Sequence, residues 1–384
     1  MSEADTPTAP LRVSYSTAAA TRECEQKYVY RYIERLRPIV EDATPLHLGS
    51  VLHTYLEHYY RGVMESSQDR RRTSAASVAA GLTEAHEQAL LAASDEHSKE
   101  LAQLSKLAAN LDQMELAQSL LEIIPRALIL ARAYHRVHAD DVRRHEVLLV
   151  EEKFVFPVKD GVVLPGRIDL VTRDRQTGQV ILWEHKTAKR IPRQETRLSD
   201  LQTFLYNIVL EDLKGMRADA VLWDYIQTIP PKPPAILKDG TISKSTHQVT
   251  TVELYVQALK DNAEALAEKN LGPADYVEAV EAVRARERET MFVRYEMPVL
   301  GREDILLRDY IRTVNHIERL NADPSSAVRN IGFTCNFCPF AQLCRTVLTG
   351  GNEESDRNQY YKVEPPHPEE TVSEMEGDLF DGIT

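Results

Sequence analysis

Two carboxylates and an ammonium group stand out in the middle of the chain: Asp169 in the run GRIDL, then Glu184 and Lys186 in WEHK. The intervening RIDLVTRDRQTGQVILWEHK folds on paper into a hairpin with its turn at 175–178. A turn there centres the pair between residues 176 and 177, so Asp169 lies opposite Glu184. Directly opposed residues share one face of a sheet with Cβ atoms about 5 Å apart. Lys186 is two residues beyond Glu184, and alternation along a strand puts it on that face too. Oxygen donors of this kind suit Mg²⁺ or Mn²⁺, which polarises a phosphoryl oxygen and lowers the pKa of a bound water. A lysine beside them can orient or deprotonate that water and offset developing charge. An isolated E-x-K is common and also reads as a cross-strand salt bridge. The apolar flanks Ile168, Leu170, Ile181 and Trp183 argue against an outward-facing bridge.

The four cysteines form a second constellation. Cys335, Cys338 and Cys344 fall in CNFCPFAQLC, a C-x2-C-x5-C spacing, while Cys24 stands alone near the N-terminus. Three thiolates so spaced suit a metal, and only Cys24 could add a fourth within this chain. Spacing does not choose between zinc and an iron–sulfur cluster. The acidic, polar start MSEADTPTAP has no apolar signal core, and no run approaches the ~20 apolar residues of a membrane span. A cytoplasmic protein is therefore expected, where clustered thiols bind metal rather than pair as disulfides.

The elements that must position these groups follow from periodicity. Helical patterns occupy 12–35 and 48–61, where Leu52, Tyr55, Leu56 and Tyr59 recur on one face. Residues 65–140, rich in Ala, Leu, Glu and Gln, read as a helical insertion broken near Pro125. Three strands follow, VLLVEEKFVFPV, GVVLPGRIDLVTR and QVILWEHKTA, then a helix at 198–213 and the strand ADAVLWDYIQT. After the Pro-rich loop 229–248 come helices at 251–269, 274–290 and 302–321, with a strand MFVRYEMPV before the last.

A net charge of −13 argues at first against a nucleic-acid partner. Ten acidic and two basic residues of that balance lie in 349–384, however, and bound cations invert the potential around metal-binding carboxylates. Lys186, Lys189, Arg190, Arg193 and Arg197 form a basic run directly after the E-x-K. DNA is thus not excluded. The tail beyond 349 is expected to be disordered, like residues 1–11; its Asp378-Leu379-Phe380-Asp381 could dock on a basic protein partner.

Taken together, these residues resemble the PD-(D/E)XK nuclease superfamily, in particular the RecB-like branch that includes CRISPR-associated iron–sulfur exonucleases and helicase-linked nuclease domains. The resemblance covers roughly 12–60 and 146–347. It implies an α/β fold with a restriction-endonuclease-like core: a central mixed β-sheet flanked by helices, with an iron–sulfur staple joining N- and C-terminal segments. By the same resemblance, Asp169, Glu184 and Lys186 are catalytic, and the backbone carbonyl of His185 completes a Mg²⁺ or Mn²⁺ site. His53, in the G-x3-H run from Gly49, becomes a further metal ligand. Gln202 and Tyr206, a Q-x3-Y on one helical face, position the substrate strand. Cys24, Cys335, Cys338 and Cys344 hold a [4Fe–4S] cluster, with zinc the second choice.

The expectation is one nuclease domain over 12–348 that cleaves DNA, as an exonuclease on single strands or duplex ends, in recombination, replication or repair. Stand-alone members of this size suggest a phage-encoded enzyme. No P-loop occurs, so the chain has no motor of its own. The rivals are a catalytically silent DNA-binding or assembly subunit of the same fold, and a zinc-stapled structural protein with a coincidental hairpin. Polarity, strand preference and oligomeric state are not encoded in any motif.

Overall fold

The structure, a computed structural model, describes residues 10–39, 44–68, 75–110, 113–193, 195, 201–229, 231–245, 247–299, 301 and 303–365. From the N-terminus come β1 (Leu11–Arg12), α1 (Tyr15–Glu23), α2 (Glu25–Tyr28), β2 (Leu36–Pro38), α3 (Thr44–Gln68), α4 (Ala75–Asn110), α5 (Met114–Leu121), α6 (Ile123–Val137) and α7 (Asp141–Arg144). The chain then runs through β3 (His145–Lys159), β4 (Val162–Asp174), β5 (Val180–Ala188), α8 (Leu201–Lys214) and β6 (Ala220–Gln227). It continues with α9 (Val252–Asp261), α10 (Ala263–Ala267), α11 (Val277–Arg286), β7 (Phe292–Pro298) and α12 (Glu303–Ala322). Last are α13 (Ala341–Leu348), α14 (Glu353–Tyr360) and β8 (Tyr361–Val363).

The strands form a mixed sheet ordered β1-β4-β5-β6-β7, with β3 also paired to β4. Neighbours β4–β5 and β6–β7 are antiparallel, and β1–β4 and β5–β6 are parallel. The parallel step from β5 to β6 needs a crossover, which α8 supplies. β6 is buried along nearly its whole length, as a strand covered on both faces must be. The expected α/β architecture with a helix-flanked mixed sheet is the observed one. No helix among the described residues is long and apolar enough to cross a membrane.

Contacts divide the chain into two compact units where a single domain over 12–348 was expected. One comprises Met1–Glu41, Lys153–Arg167 and Gly301–Thr384, the other Asp42–Glu152 and Ile168–Leu300. In the first unit α1 packs on α12, and the Tyr310 hydroxyl donates to the carbonyl of Val13. The helical pattern expected over 12–35 is interrupted at Cys24, whose extended backbone (φ −166°) separates α1 from α2.

Two expectations of disorder fail at their inner edges in this unit, at 10–11 and at 349–365. Leu11 pairs with Val162 in β1, and the stretch after 349 continues as α14 and β8. Acidity suggested a solvated chain, but the charges are paired: Arg357 bridges Glu353 and Glu34, and Asp356 accepts from Thr346. Asn352 caps α14, and Tyr361, 7% exposed, stacks on Phe340 while β8 pairs with β2. Residues 1–9 and 366–384, with Asp378–Asp381, lie outside the described residues.

In the second unit the stretch 65–140 is helical as expected, but it is not an appendage. Leu130, Ala131 and Tyr134 of α6 share one core with Leu52, Tyr55 and Tyr60 of α3 and with Leu170, Trp183 and Leu222 of the sheet. Pro125 falls in the first turn of α6, where its missing N–H costs no hydrogen bond. A smaller core joins Tyr255, Leu259, Tyr276 and Val283 of the α9–α11 region with Ile242 from the 229–248 loop.

Candidate active site

The β4–β5 ladder runs Leu170↔Trp183, Val171↔Leu182, Thr172↔Ile181 and Arg173↔Val180, the register expected from the turn. One step further along it Asp169 and Glu184 meet. The ladder ends there because the Asp169 carboxylate takes over: its Oδ2 accepts the His185 backbone N–H at 2.8 Å. Both carboxylates are buried, Asp169 at 8% and Glu184 at 4% exposure. The Lys186 ammonium pairs with Glu184 and donates to Gln202 Oε1 at 3.0 Å. Gln202 on α8 thus reaches the lysine from above the strand. Tyr206, one turn on, is buried on the same helix.

His53 comes from α3, whose stripe of Leu48, Leu52, Tyr55, Leu56 and Tyr59 is buried. Gly49, one turn before it, lets the helix approach β5 closely. A Cβ at 49 would sit 3.0 Å from Thr187 Oγ1, the residue after Lys186. The His53 Nδ1 lies 3.7 Å from Glu151 Oε1. Burial depresses the His53 pKa, but the adjacent Glu151 carboxylate and the charges of Asp169 and Glu184 outweigh it, leaving the pKa raised.

Glu151 was not foreseen. Its backbone has φ 49°, a left-handed conformation inside β3 that costs a non-glycine residue about 1 kcal/mol or more. Val150 and Glu151 are consecutive and both buried, so strand alternation fails there as at a bulge. At the kink two consecutive residues, Val150 and the carboxylate-bearing Glu151, both face the interior. His53, Glu151 and Asp169 bring one ligand atom each to within 4.8 Å of one another, close enough to share a metal ion. The failure of apolar alternation at VEE is the one signal the sequence offered, and it does not identify a ligand.

His185 points its ring to the opposite face. Its Nδ1 lies 3.1 Å from Asp224 Oδ2, its register partner on β6, and its ring stacks on Tyr60. Asp224 is fully buried and also accepts from Tyr134 and from Arg294 Nε at 2.9 Å. Burial alone would raise the Asp224 pKa, but the Arg294 charge and the His185 bond hold it well below the carboxylate range. Asp224 is thus a carboxylate that only accepts, so His185 Nδ1 carries a proton. This anchor fixes the peptide whose N–H orients Asp169.

Of the basic run, Lys189, Arg190 and Arg193 are exposed. Arg197 lies outside the described residues.

The cysteines belong to the first unit. Cys24 lies between α1 and α2, Cys335 and Cys338 in the turn before α13, and Cys344 on α13. All four are free and partly exposed. Cys338 and Cys344 pack against a core of Tyr30, Leu36, Phe340, Leu343 and Tyr361. Burial raises the Cys338 pKa; Lys27 lowers it, and the charges of Cys344 and Cys24 raise it again. Burial also raises that of Cys344, against a bond to Arg329. Among the described residues no three Sγ atoms fall within 4.8 Å of one another, whereas zinc draws its four to about 3.8 Å.

Comparison with known proteins agrees with this arrangement. A family model described as the PD-(D/E)XK nuclease superfamily matches residues 12–345. No curated protein matches the chain.

Proposed function

The chain belongs to the PD-(D/E)XK nuclease superfamily, whose members hydrolyse phosphodiesters, and from that premise we propose a Mg²⁺- or Mn²⁺-dependent deoxyribonuclease. One observation carries the reading: His53, Glu151 and Asp169 converge as a ligand set beside a Lys186 held by Glu184 and Gln202. Hard oxygens plus one imidazole fit such an ion. Glu184 and the His185 carbonyl are its further candidate ligands. The ion, when bound, supplies Lewis-acid polarisation and a more acidic water.

This chain's own residues do the positioning. The His185 N–H holds Asp169 in one orientation, leaving its other oxygen for the ion. Glu184 and Gln202 hold the Lys186 ammonium on the carboxylate side of the strand, where it can orient the attacking water and balance charge on the phosphoryl oxygens. Tyr206, buried one turn after Gln202 on α8, would share with it the positioning of the substrate strand. Action on ends or single strands, as an exonuclease in recombination, replication or repair, is the proposed substrate class. A cytoplasmic setting and a phage origin go with this reading.

The four cysteines are assigned to a [4Fe–4S] cluster. Four free thiols, with Lys27 near Cys338 and Arg329 near Cys344, would be the donor set. The looser sulfur spacing gives zinc no advantage. The cluster would brace the first unit, which already carries direct bonds between its N- and C-terminal segments.

The test is digestion of end-labelled single- and double-stranded DNA with Mn²⁺ or Mg²⁺, comparing wild type with Lys186→Ala. Metal-dependent cleavage lost in the variant supports the assignment; cleavage that persists unchanged discards it.

A further inference from the structure

The stretch between Asp323 and Glu353 contains no carboxylate and two arginines, Arg329 and Arg345, in a chain with 59 acidic residues. It also holds the two most exposed large apolar side chains among the described residues, Phe333 at 77% and Phe337 at 78%. Their rings meet edge to face, with centroids 5.4 Å apart. Val328 and Ile331 are exposed as well. Water-facing aromatics normally find cover, and among the described residues of its unit this pair is left open to water.

Upstream in the same segment, Val328 and Asn330 line a cleft of about 320 Å³ whose other walls carry Arg22, Arg312 and His316. Glu25 also lines it, but that carboxylate is engaged by Arg319 at 2.6 Å and by the Val328 N–H at 2.9 Å. Among the described residues Arg312 is bridged to Asp309, one turn earlier on an exposed helix face, a pair of small net strength. The cleft therefore presents cations.

We propose that this surface binds single-stranded DNA, with phosphates along the cleft at Arg22 and Arg312 and bases stacked on Phe333 and Phe337. Charge decides between occupants. An apolar protein partner would need the rings but not an acid-free surround beside a cationic cleft. A single strand needs both, because its backbone is anionic and every base has a face to stack. A duplex hides its bases and uses only the cations.

The inference rests on the nuclease reading for the choice of DNA, and it is tested without that reading. Binding of a labelled oligo(dT) to the full, anaerobically purified chain is followed by anisotropy in the absence of divalent ions, so catalysis plays no part. Phe333→Ala with Phe337→Ala should weaken binding about fivefold or more per ring, leaving duplex affinity unchanged. Phe333→Trp with Phe337→Trp should restore it, which a folding defect would not permit. Arg22→Gln with Arg312→Gln should lower the slope of log affinity against log salt by about 1.4 for the single strand. Unchanged oligo(dT) affinity in the alanine pair would overturn the proposal and leave the rings to a protein partner. Equal losses for single strand and duplex would overturn it too.

Discussion

Acid should unfold the second unit in a window that one histidine helps to define. His138, just after α6, packs against Tyr134 (4.7 Å between centroids) and Phe292, and its side chain is 12% exposed. Burial, then the nearby Arg294 charge, push its pKa from 6.5 down to about 4. The fold thus keeps it neutral, while the unfolded chain takes up a proton below pH 6.5. Stability from this residue is complete above that pH, falls as pH drops, and levels off near pH 4. At 1.36 kcal/mol per pKa unit the full loss is about 3 kcal/mol, of which about 2 is already gone at pH 5. The carboxylate of Asp224 titrates below this window. His53 has the opposite sign, because its pKa is raised and its contribution is lost as pH rises.

His138→Leu keeps the volume and removes the proton site. Urea unfolding at pH 7 and pH 5 can be followed by tryptophan fluorescence, since both tryptophans, Trp183 and Trp223, are buried in this unit. The loss between the two pH values should be about 2 kcal/mol smaller in the variant than in wild type. Identical losses would refute the argument, because they would show that His138 is charged in the fold or solvated enough not to matter.

Four further outcomes follow from particular contacts. Glu151→Gly removes a ligand and relieves a left-handed backbone, so isothermal titration should show Mn²⁺ affinity down at least about tenfold while the melting temperature holds or rises. Gln202→Ala frees the Lys186 ammonium on one side, and steady-state kinetics should show kcat down roughly 10- to 100-fold with KM little changed. Gly62→Ala would place a Cβ 2.7 Å from that of Ala85; the overlap between α3 and α4 should cost about 1–3 kcal/mol in denaturant unfolding, less the ~1 kcal/mol of helix propensity regained. Tyr361→Ala should destabilise the first unit by about 3 kcal/mol, and a melting temperature identical to wild type would show that β8 contributes nothing.

Local spacing alone was enough to place Asp169 opposite Glu184, Lys186 on their face and Gln202 four residues before Tyr206. A two-residue period keeps Ile168, Leu170, Ile181 and Trp183 on one face, and the turn at 175–178 selects one register among those that do so. The G-x3-H run was legible in the same way, since its glycine and histidine lie one helical turn apart. Glu151 was not, because its place in the site depends on a left-handed residue that breaks the period on which the reading relied. Nor could any spacing rule pair His185 with Asp224, Tyr134 and Arg294, which come from three separate elements and meet only when α6 and the sheet share a core. Charge misled at the C-terminus for a related reason: composition counts carboxylates, whereas order at α14 and β8 depends on which cation faces each one. Short-range geometry is carried by the chain itself. A carboxylate's partner, and whether a bend turns it inward, is set by residues a hundred positions away that only packing brings near.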